Sequence, residues 1–175
     1  MGDPKKLRKK YQTPSHPWRR DVLKEELRLI GEYGLRNKKE LWRAASNLRR
    51  YRAMARATMG LGEDRRREAE SSLVGKLHRM GLLRSGSTCD DVLQLTARDF
   101  LERRLQTVVF RQGRAKSMYQ ARQLIGHGHV LVRGAKVTAP GYHVMRGDED
   151  TLDVHKVVVE QPEASTQPPR EPEGT

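Results

Sequence analysis

Residues 96–136 constrain this chain more than any other stretch: TARDFLERRLQTVVFRQGRAKSMYQARQLIGHGHVLVRGAK. Their apolar positions follow helical spacing twice and then alternate, which predicts helix, basic turn, helix and the first strand of a hairpin. Leu101, Leu105, Val108 and Val109 stand at i, i+4, i+7 and i+8, one buried face of a first helix. Thr96 and Asp99 give its start signal and Gly113 its stop. Ser117 and Gln120 read as a capping box for a second helix, whose apolar side is Ala121, Leu124 and Ile125. Gly126 and Gly128 end it. Residues 129–132, HVLV, alternate like a strand; 133–136 turn, and Val137 and Thr138 begin the return. Residues 151–159, TLDVHKVVV, read as a further strand.

Nine residues of the stretch are Arg or Lys and two are Asp or Glu. A core this small leaves those cations on the outside. The excess holds for the whole chain, with net charge +13 and pI near 10.3. Like charges repel in a compact state, so such an excess points to a polyanionic partner. The cations also come in blocks. Residues 1–20 carry +6, 35–60 carry +7 and 97–136 carry +7, whereas 61–96 balance and 145–175 carry −5. Three blocks separated by neutral ground suit a long or branched polyanion better than a small ligand. No small-molecule substrate and no cofactor are expected.

Residues 1–20 hold three prolines and seven cations with Tyr11, His16 and Trp18 interleaved. Without apolar periodicity this segment is expected to be disordered alone and to order on RNA. Lys5, Lys6, Arg8, Lys9, Lys10, Arg19 and Arg20 then meet phosphates, while Tyr11 stacks on bases. Trp18 has two readings, an RNA platform or a core staple onto the first helix. Residues 21–33 form that helix, capped by Asp21, with Val22, Leu27 and Ile30 on one face and Gly34 at its end. Asn37 and Glu40 resemble a capping box that opens a helix over 38–59. Leu41, Ala45, Leu48 and Ala55 form its stripe. Arg43, Arg49, Arg50, Arg52 and Arg56 line much of the rest. One acid, Glu40, accompanies eight cations over residues 35–60, so internal salt bridges cannot balance them. A third helix covers 64–80, and 82–96 are a connector with one helical turn. Residues 161–175, with four prolines, read as a disordered acidic tail.

The expected fold class is therefore α+β with disordered termini. It comprises a basic extension (1–20), a helical domain (21–96), a small helix-turn-helix plus twisted β-hairpin domain (97–160) and the tail (161–175). The single cysteine, Cys89, excludes an internal disulfide. No run approaches the roughly 18 apolar residues of a membrane span, and the N-terminus lacks a signal-peptide core. A cytoplasmic protein without membrane contact is expected. His127 and His129, an i, i+2 pair with no close further ligand, make a poor metal site.

The run RRLQTVVFRQGRAKSMYQARQLIGHGHVLVRGAKVTAPGYHV resembles the RNA-binding domain named after small-subunit ribosomal protein S-four. Its ARQLI-x-HGHV and V-x-G-x-x-V-x-x-P segments are the most specific parts. With MGDPKKLRKKYQTPSHPW and the helical segment, residues 1–160 are similar to the archaeal form of that ribosomal protein family. The resemblance implies a structural constituent of the small ribosomal subunit, not an enzyme. It implies binding of a multi-helix junction in the 5′ domain of small-subunit rRNA early in assembly. It also implies a place near the mRNA entry path, contact with the neighbouring protein S-five, and an effect on decoding accuracy. Family members often carry Ser-Arg where this chain has Ser117-Met118, so one phosphate cation is missing and Lys116 stands in its place. Some bacterial members bear N-terminal zinc-binding cysteines, which are absent here.

The residues support RNA binding independently of the family. A helix N-terminus at Ser117 offers backbone N–H groups to phosphate. Arg122 and Gln123 follow within two turns, and Arg122 lies off the Ala121/Leu124 face, which assigns it to RNA rather than to the core. Arg103, Arg104, Arg111 and Arg114 come from the first helix and turn, with His127, His129 and Arg133 beyond. A-form RNA hides its base edges, so phosphates, 2′-hydroxyls and junction shape are the expected targets. Two other classes fit the sequence less well. An RNA-modifying enzyme needs a catalytic domain, and residues 1–96 show no Gly-rich cofactor loop and no nucleophile pattern. A DNA-binding helix-turn-helix has tolerable spacing, but its second helix offers few base-reading side chains beyond Gln120, Arg122 and Gln123.

Overall fold

The computed structural model describes residues 9–154. Its helical part is organised around α2 (Lys38–Met59), which packs against α1 (Arg20–Glu32), α3 (Glu63–Arg79), α4 (Cys89–Gln94) and α5 (Ala97–Glu102). The buried face of α2 is Leu41, Ala44, Leu48, Tyr51 and Ala55, with Thr58 beyond. Those positions recur at intervals of three and four, as a core-facing helix requires. In α1 the inward residues are Leu29 and Ile30, with Tyr33 just past its end; Leu27 faces solvent instead. Thr88 and Asp91 cap α4, and Thr96 and Asp99 cap α5; the Thr96 N–H donates to Asp99 Oδ2 at 2.7 Å.

A second, smaller core begins at Leu105. Here α6 (Leu105–Arg111) packs on α7 (Met118–Gly126), and both share an apolar core with a three-stranded antiparallel sheet of order β2-β1-β3. The strands are β1 (Val130–Val132), β2 (Ala135–Lys136) and β3 (Leu152–Val154). Leu105, Val109, Ala121, Ile125, Val130, Val144 and Leu152 are buried together. Val132 pairs with Ala135, so Arg133 and Gly134 alone make the hairpin turn. Their φ values, 51° and 74°, are those of a type I′ turn. The return strand thus starts two residues before the position expected from sequence, and β3 covers only the first part of the expected 151–159 strand; residues 155–159 lie outside the described residues.

The helix expected from Thr96 to Gly113 is two helices. Arg104 is extended (φ −76°, ψ 142°) and separates α5 from α6. A distant loop fills the gap: the Leu105 N–H donates to the Tyr142 carbonyl at 2.8 Å, and the Val144 N–H to the Arg103 carbonyl at 2.9 Å. Those bonds satisfy backbone groups that a continuous helix would satisfy internally. Apolar spacing carries through the break unchanged, so periodicity gave no sign of it.

Candidate nucleic-acid interface

The two cores are joined by charge. Glu40, the N3 residue of α2, does not close a capping box with Asn37. Its carboxylate instead accepts from Arg104 Nη2 at 2.7 Å and from Arg122 Nη2 at 2.6 Å. Two guanidinium groups offer a carboxylate more than one backbone N–H does, and charge-assisted bonds are the stronger kind. The side chains of Glu40, Arg104 and Arg122 are 16%, 10% and 24% exposed. Burial pushes the Glu40 carboxyl up, but the bonds and charges of Arg122 and Arg104 outweigh it and hold it below the usual carboxylate range. Gln106, also buried, extends the joint: its Nε2 donates to the Gly34 and Met118 carbonyls at 3.1 and 3.0 Å, and its Oε1 accepts from Arg122. Gly34 lies so close that a Cβ there would stand 2.8 Å from Met118 Cβ, and its φ is +54°.

This geometry changes the reading of several predicted RNA ligands. Arg104 and Arg122 face each other across Glu40 and hold the two units together. Arg103 bonds the Val144 carbonyl and Glu149, and its guanidinium lies over Gly81. Arg52 donates to the Leu95 carbonyl at 2.5 Å. All four lie off the apolar stripes, a placement that reads as RNA-facing in the sequence, but in the structure polar partners distant in sequence occupy them. Arg111 pairs with Glu102, Arg114 lies 3.8 Å from Asp153, and Arg133 pairs with buried Asp148. Glu102 also accepts from the Tyr33 hydroxyl; burial first, and then this carboxylate, push that phenol above its usual range.

Exposed cations outside the salt bridges occur on several elements among the described residues, Arg65 and Arg79 of α3 and Lys116 and Lys136 of the second unit included, but α2 and the segment beside it carry several along one groove. Arg43, Arg49, Arg50 and Arg56 are exposed on α2. Residues 9–15 lie alongside, forming a groove with Ser46, Asn47, Arg49, Arg50 and Ala53. The Gln12 N–H donates to Ser46 Oγ at 2.9 Å, Gln12 Oε1 accepts from Arg49, and Tyr11 packs on Trp42 with ring centroids 5.9 Å apart. Lys9 stands over the Tyr11 ring, and Lys10 also lines the groove. This part of the extension thus has partners within the chain, which its lack of periodicity did not reveal. Trp18, 87% exposed, is not a core residue, and Arg19 and Arg20 beside it are exposed too. Lys5, Lys6, Arg8 and the 161–175 tail lie outside the described residues.

A second concavity opens between the units. Arg43, Asn47, Arg104 and Arg122 line it together with Pro140, Tyr142 and His143. Asn47 belongs to both concavities, so α2 carries one continuous track from the N-terminal segment to the junction. Lys116, Ser117 and His127 are exposed at the two ends of α7 and Gln123 is exposed within it, while His129 is half-buried. One first-turn N–H there is already taken, since Gln120 donates to Ser117 Oγ; the Lys116 N–H, just ahead of the cap, donates to Gln120 Oε1. The His127 and His129 rings are 6.3 Å apart, and among the described residues no group of three or more His, Cys, Asp or Glu is placed to hold a metal. Among these residues no helix is long and apolar enough to cross a membrane. Sequence reasoning missed Glu40, Asn47, Gln106, Tyr142 and His143. An aromatic directly after Pro140-Gly141 was the available signal for Tyr142.

Comparison with known proteins agrees with this division. A profile described as "Ribosomal protein S4/S9 N-terminal domain" matches residues 2–102, and one described as "S4 domain" matches 103–150. "Small ribosomal subunit protein uS4" of Ignicoccus hospitalis is 53% identical over 152 residues, 87% of this chain and 92% of the relative. The protein of the same name from Sulfolobus acidocaldarius is 52% identical over 156 residues, 89% of each. That from Hyperthermus butylicus is 49% identical over 153 residues, 87% of each. The chain belongs to the uS4 family of small-subunit ribosomal proteins.

Proposed function

We propose that the chain is a structural, non-enzymatic constituent of the cytoplasmic ribosome that grips small-subunit rRNA along the α2 track. The observation that carries this reading is the distribution of partners. Most arginines around the second core are paired with acids, whereas those of α2 and residues 9–20 are exposed and largely unpaired among the described residues. Unpaired cations on a rigid helix, set along a groove, suit phosphates spaced along a nucleic-acid backbone. Two units fixed at one angle by Glu40 present that track as a shape, and shape is what distinguishes one RNA junction from another.

Finer assignments rest on the family resemblance. The RNA target is a multi-helix junction in the 5′ domain, bound early in assembly. The protein then lies near the mRNA entry path against S-five and supports decoding accuracy. Footprinting of naked small-subunit rRNA with the full chain tests the target. Protections are expected from several helices that meet at one junction, and they should survive excess duplex DNA. Protections scattered over the rRNA, or erased by duplex DNA, would reject the reading.

A further inference from the structure

The cleft between the units contains more than a grip on phosphates requires. Backbone recognition needs cations and N–H donors. This cleft adds an aromatic ring, Tyr142, 38% exposed, and the Asn47 side-chain amide. Two residues of its lining also hold buried polar atoms without a hydrogen-bond partner among the described residues: Arg104 Nη1 and His143 Nε2. Buried polar atoms are rarely left so, and each such exception asks for a cause. Arg104 as a whole is nine-tenths buried.

The two unpaired atoms differ in kind. Arg104 Nη1 can only donate. Burial, and then the charge of Arg103, hold the His143 imidazole below the usual range, so the ring is neutral near pH 7. A neutral imidazole has one N–H and one lone-pair nitrogen, so Nε2 can accept, which Arg104 cannot. A phosphate, which only accepts, can answer Arg104 but cannot donate to an accepting Nε2. A nucleobase edge carries donors and acceptors side by side and can answer both. Its flat face suits Tyr142, since base–aromatic stacking tolerates any base. Glu40, the one acid in the lining, is already neutralised by Arg104 and Arg122. The cleft measures about 510 Å³, within the usual span for small-molecule sites. Arg43, on α2, is exposed and outside the salt bridges among the described residues, which suits the phosphate of the same nucleotide.

We infer that this cleft takes one unstacked nucleotide of the bound RNA, its base against Tyr142, its polar edge toward Arg104 and His143, and its phosphate toward Arg43. The inference rests on the reading of the chain as an rRNA binder and adds one point of base recognition to a grip otherwise made on backbone and shape.

The test uses the full chain, small-subunit rRNA and Tyr142→Ala. The side chain is partly exposed, and only the Tyr142 backbone carbonyl supports α6, so the variant keeps its fold. Its rRNA affinity should fall roughly 5- to 150-fold, the range of one lost stacking contact. The salt slope should stay at the wild-type value, because no phosphate contact is lost. One rRNA base protected from chemical modification by the wild type should become reactive, with all other protections kept. Tyr142→Phe should behave as wild type. Wild-type affinity in Tyr142→Ala, or a loss without a newly reactive base, overturns the inference while leaving rRNA binding intact. A wild type that fails to bind rRNA overturns the underlying reading as well. Titrations of the free protein with the four 5′-mononucleotides and with inorganic phosphate give a second readout. Saturable NMR shifts of the Tyr142 and His143 rings are expected with a mononucleotide only. The same shifts with phosphate alone would reduce the cleft to a phosphate contact and overturn the assignment.

Discussion

Glu40→Ala should destabilise the protein far more than an exposed helix-terminus substitution does. The substitution strands two guanidinium groups. Arg104, 10% exposed, loses the acceptor of its Nη2, and its Nη1 has no partner among the described residues to begin with. Arg122, 24% exposed, retains Gln106 Oε1 at 3.2 Å and has room to turn toward water. Breaking a buried pair typically costs about 3–5 kcal/mol, and the partial exposure of Arg122 places this case near the lower end, about 3 kcal/mol. For a chain of this length that lowers Tm by roughly 6–12 °C. The cost comes from stranded cations rather than from the bridge itself, so Glu40→Leu combined with Arg104→Met and Arg122→Leu should recover most of it. Circular dichroism melts of the full-length variants measure both. The Glu40 carboxyl titrates lower in the folded protein than its ordinary 4.5. Its contribution is therefore complete above that value and is lost as pH falls below it through the folded-state value. The gap in Tm between wild type and Glu40→Ala should hold from about pH 7 to 5 and close in stronger acid. A Glu40→Ala melt within about 1 °C of wild type near neutral pH would refute the clamp.

Three further outcomes follow from particular contacts. Gly34→Ala should cost about 2 kcal/mol or more, above the ordinary glycine-to-alanine penalty, because positive φ and the approach of Met118 act together; denaturant titration measures it. Arg133→Asn suits the positive φ of the hairpin turn but leaves buried Asp148 without its cation. It should therefore destabilise by about 1–3 kcal/mol, whereas a neutral or stabilising result would mean that turn conformation outweighs the pair. Trp18→Ala should leave Tm unchanged and lower rRNA affinity by about 1–3 kcal/mol, with rRNA quenching the fluorescence of Trp18 more than that of Trp42, whose indole donates to Glu26.

What was legible in the sequence is what local chemistry decides. The start of α2 after Asn37, the cap of α7 at Ser117 and the strand at Val130 depend on residues a few positions apart, and they stand where spacing put them. The capping box at Asn37 shows the limit. Its pattern placed the helix start, yet the acid that defines it bonds Arg104 and Arg122, 64 and 82 residues away. The break at Arg104 is of the same kind, since the carbonyl that replaces the missing helical bond belongs to Tyr142. The cations show it again. Excess charge was visible in the sequence, but which arginines are left over depends on where the acids lie in space. Arg43, Arg49 and Arg50 are exposed on α2, while Arg104 and Arg122 hold the chain together.

The central claim is that the α2 track carries the phosphate contacts, and the salt dependence of rRNA binding tests it most directly. Wild type, a variant with Arg43, Arg49 and Arg50 all changed to Gln, and a control with Arg65, Arg66 and Arg67 changed to Gln are titrated with small-subunit rRNA between 50 and 200 mM salt. Wild-type affinity should fall by roughly three to five decades across that range, as for six to ten phosphate contacts. The α2 variant should bind more weakly, with a slope shallower by roughly three, about one per lost contact, and the control should keep both affinity and slope. An unchanged slope in the α2 variant, or an equal loss in the control, would contradict the account.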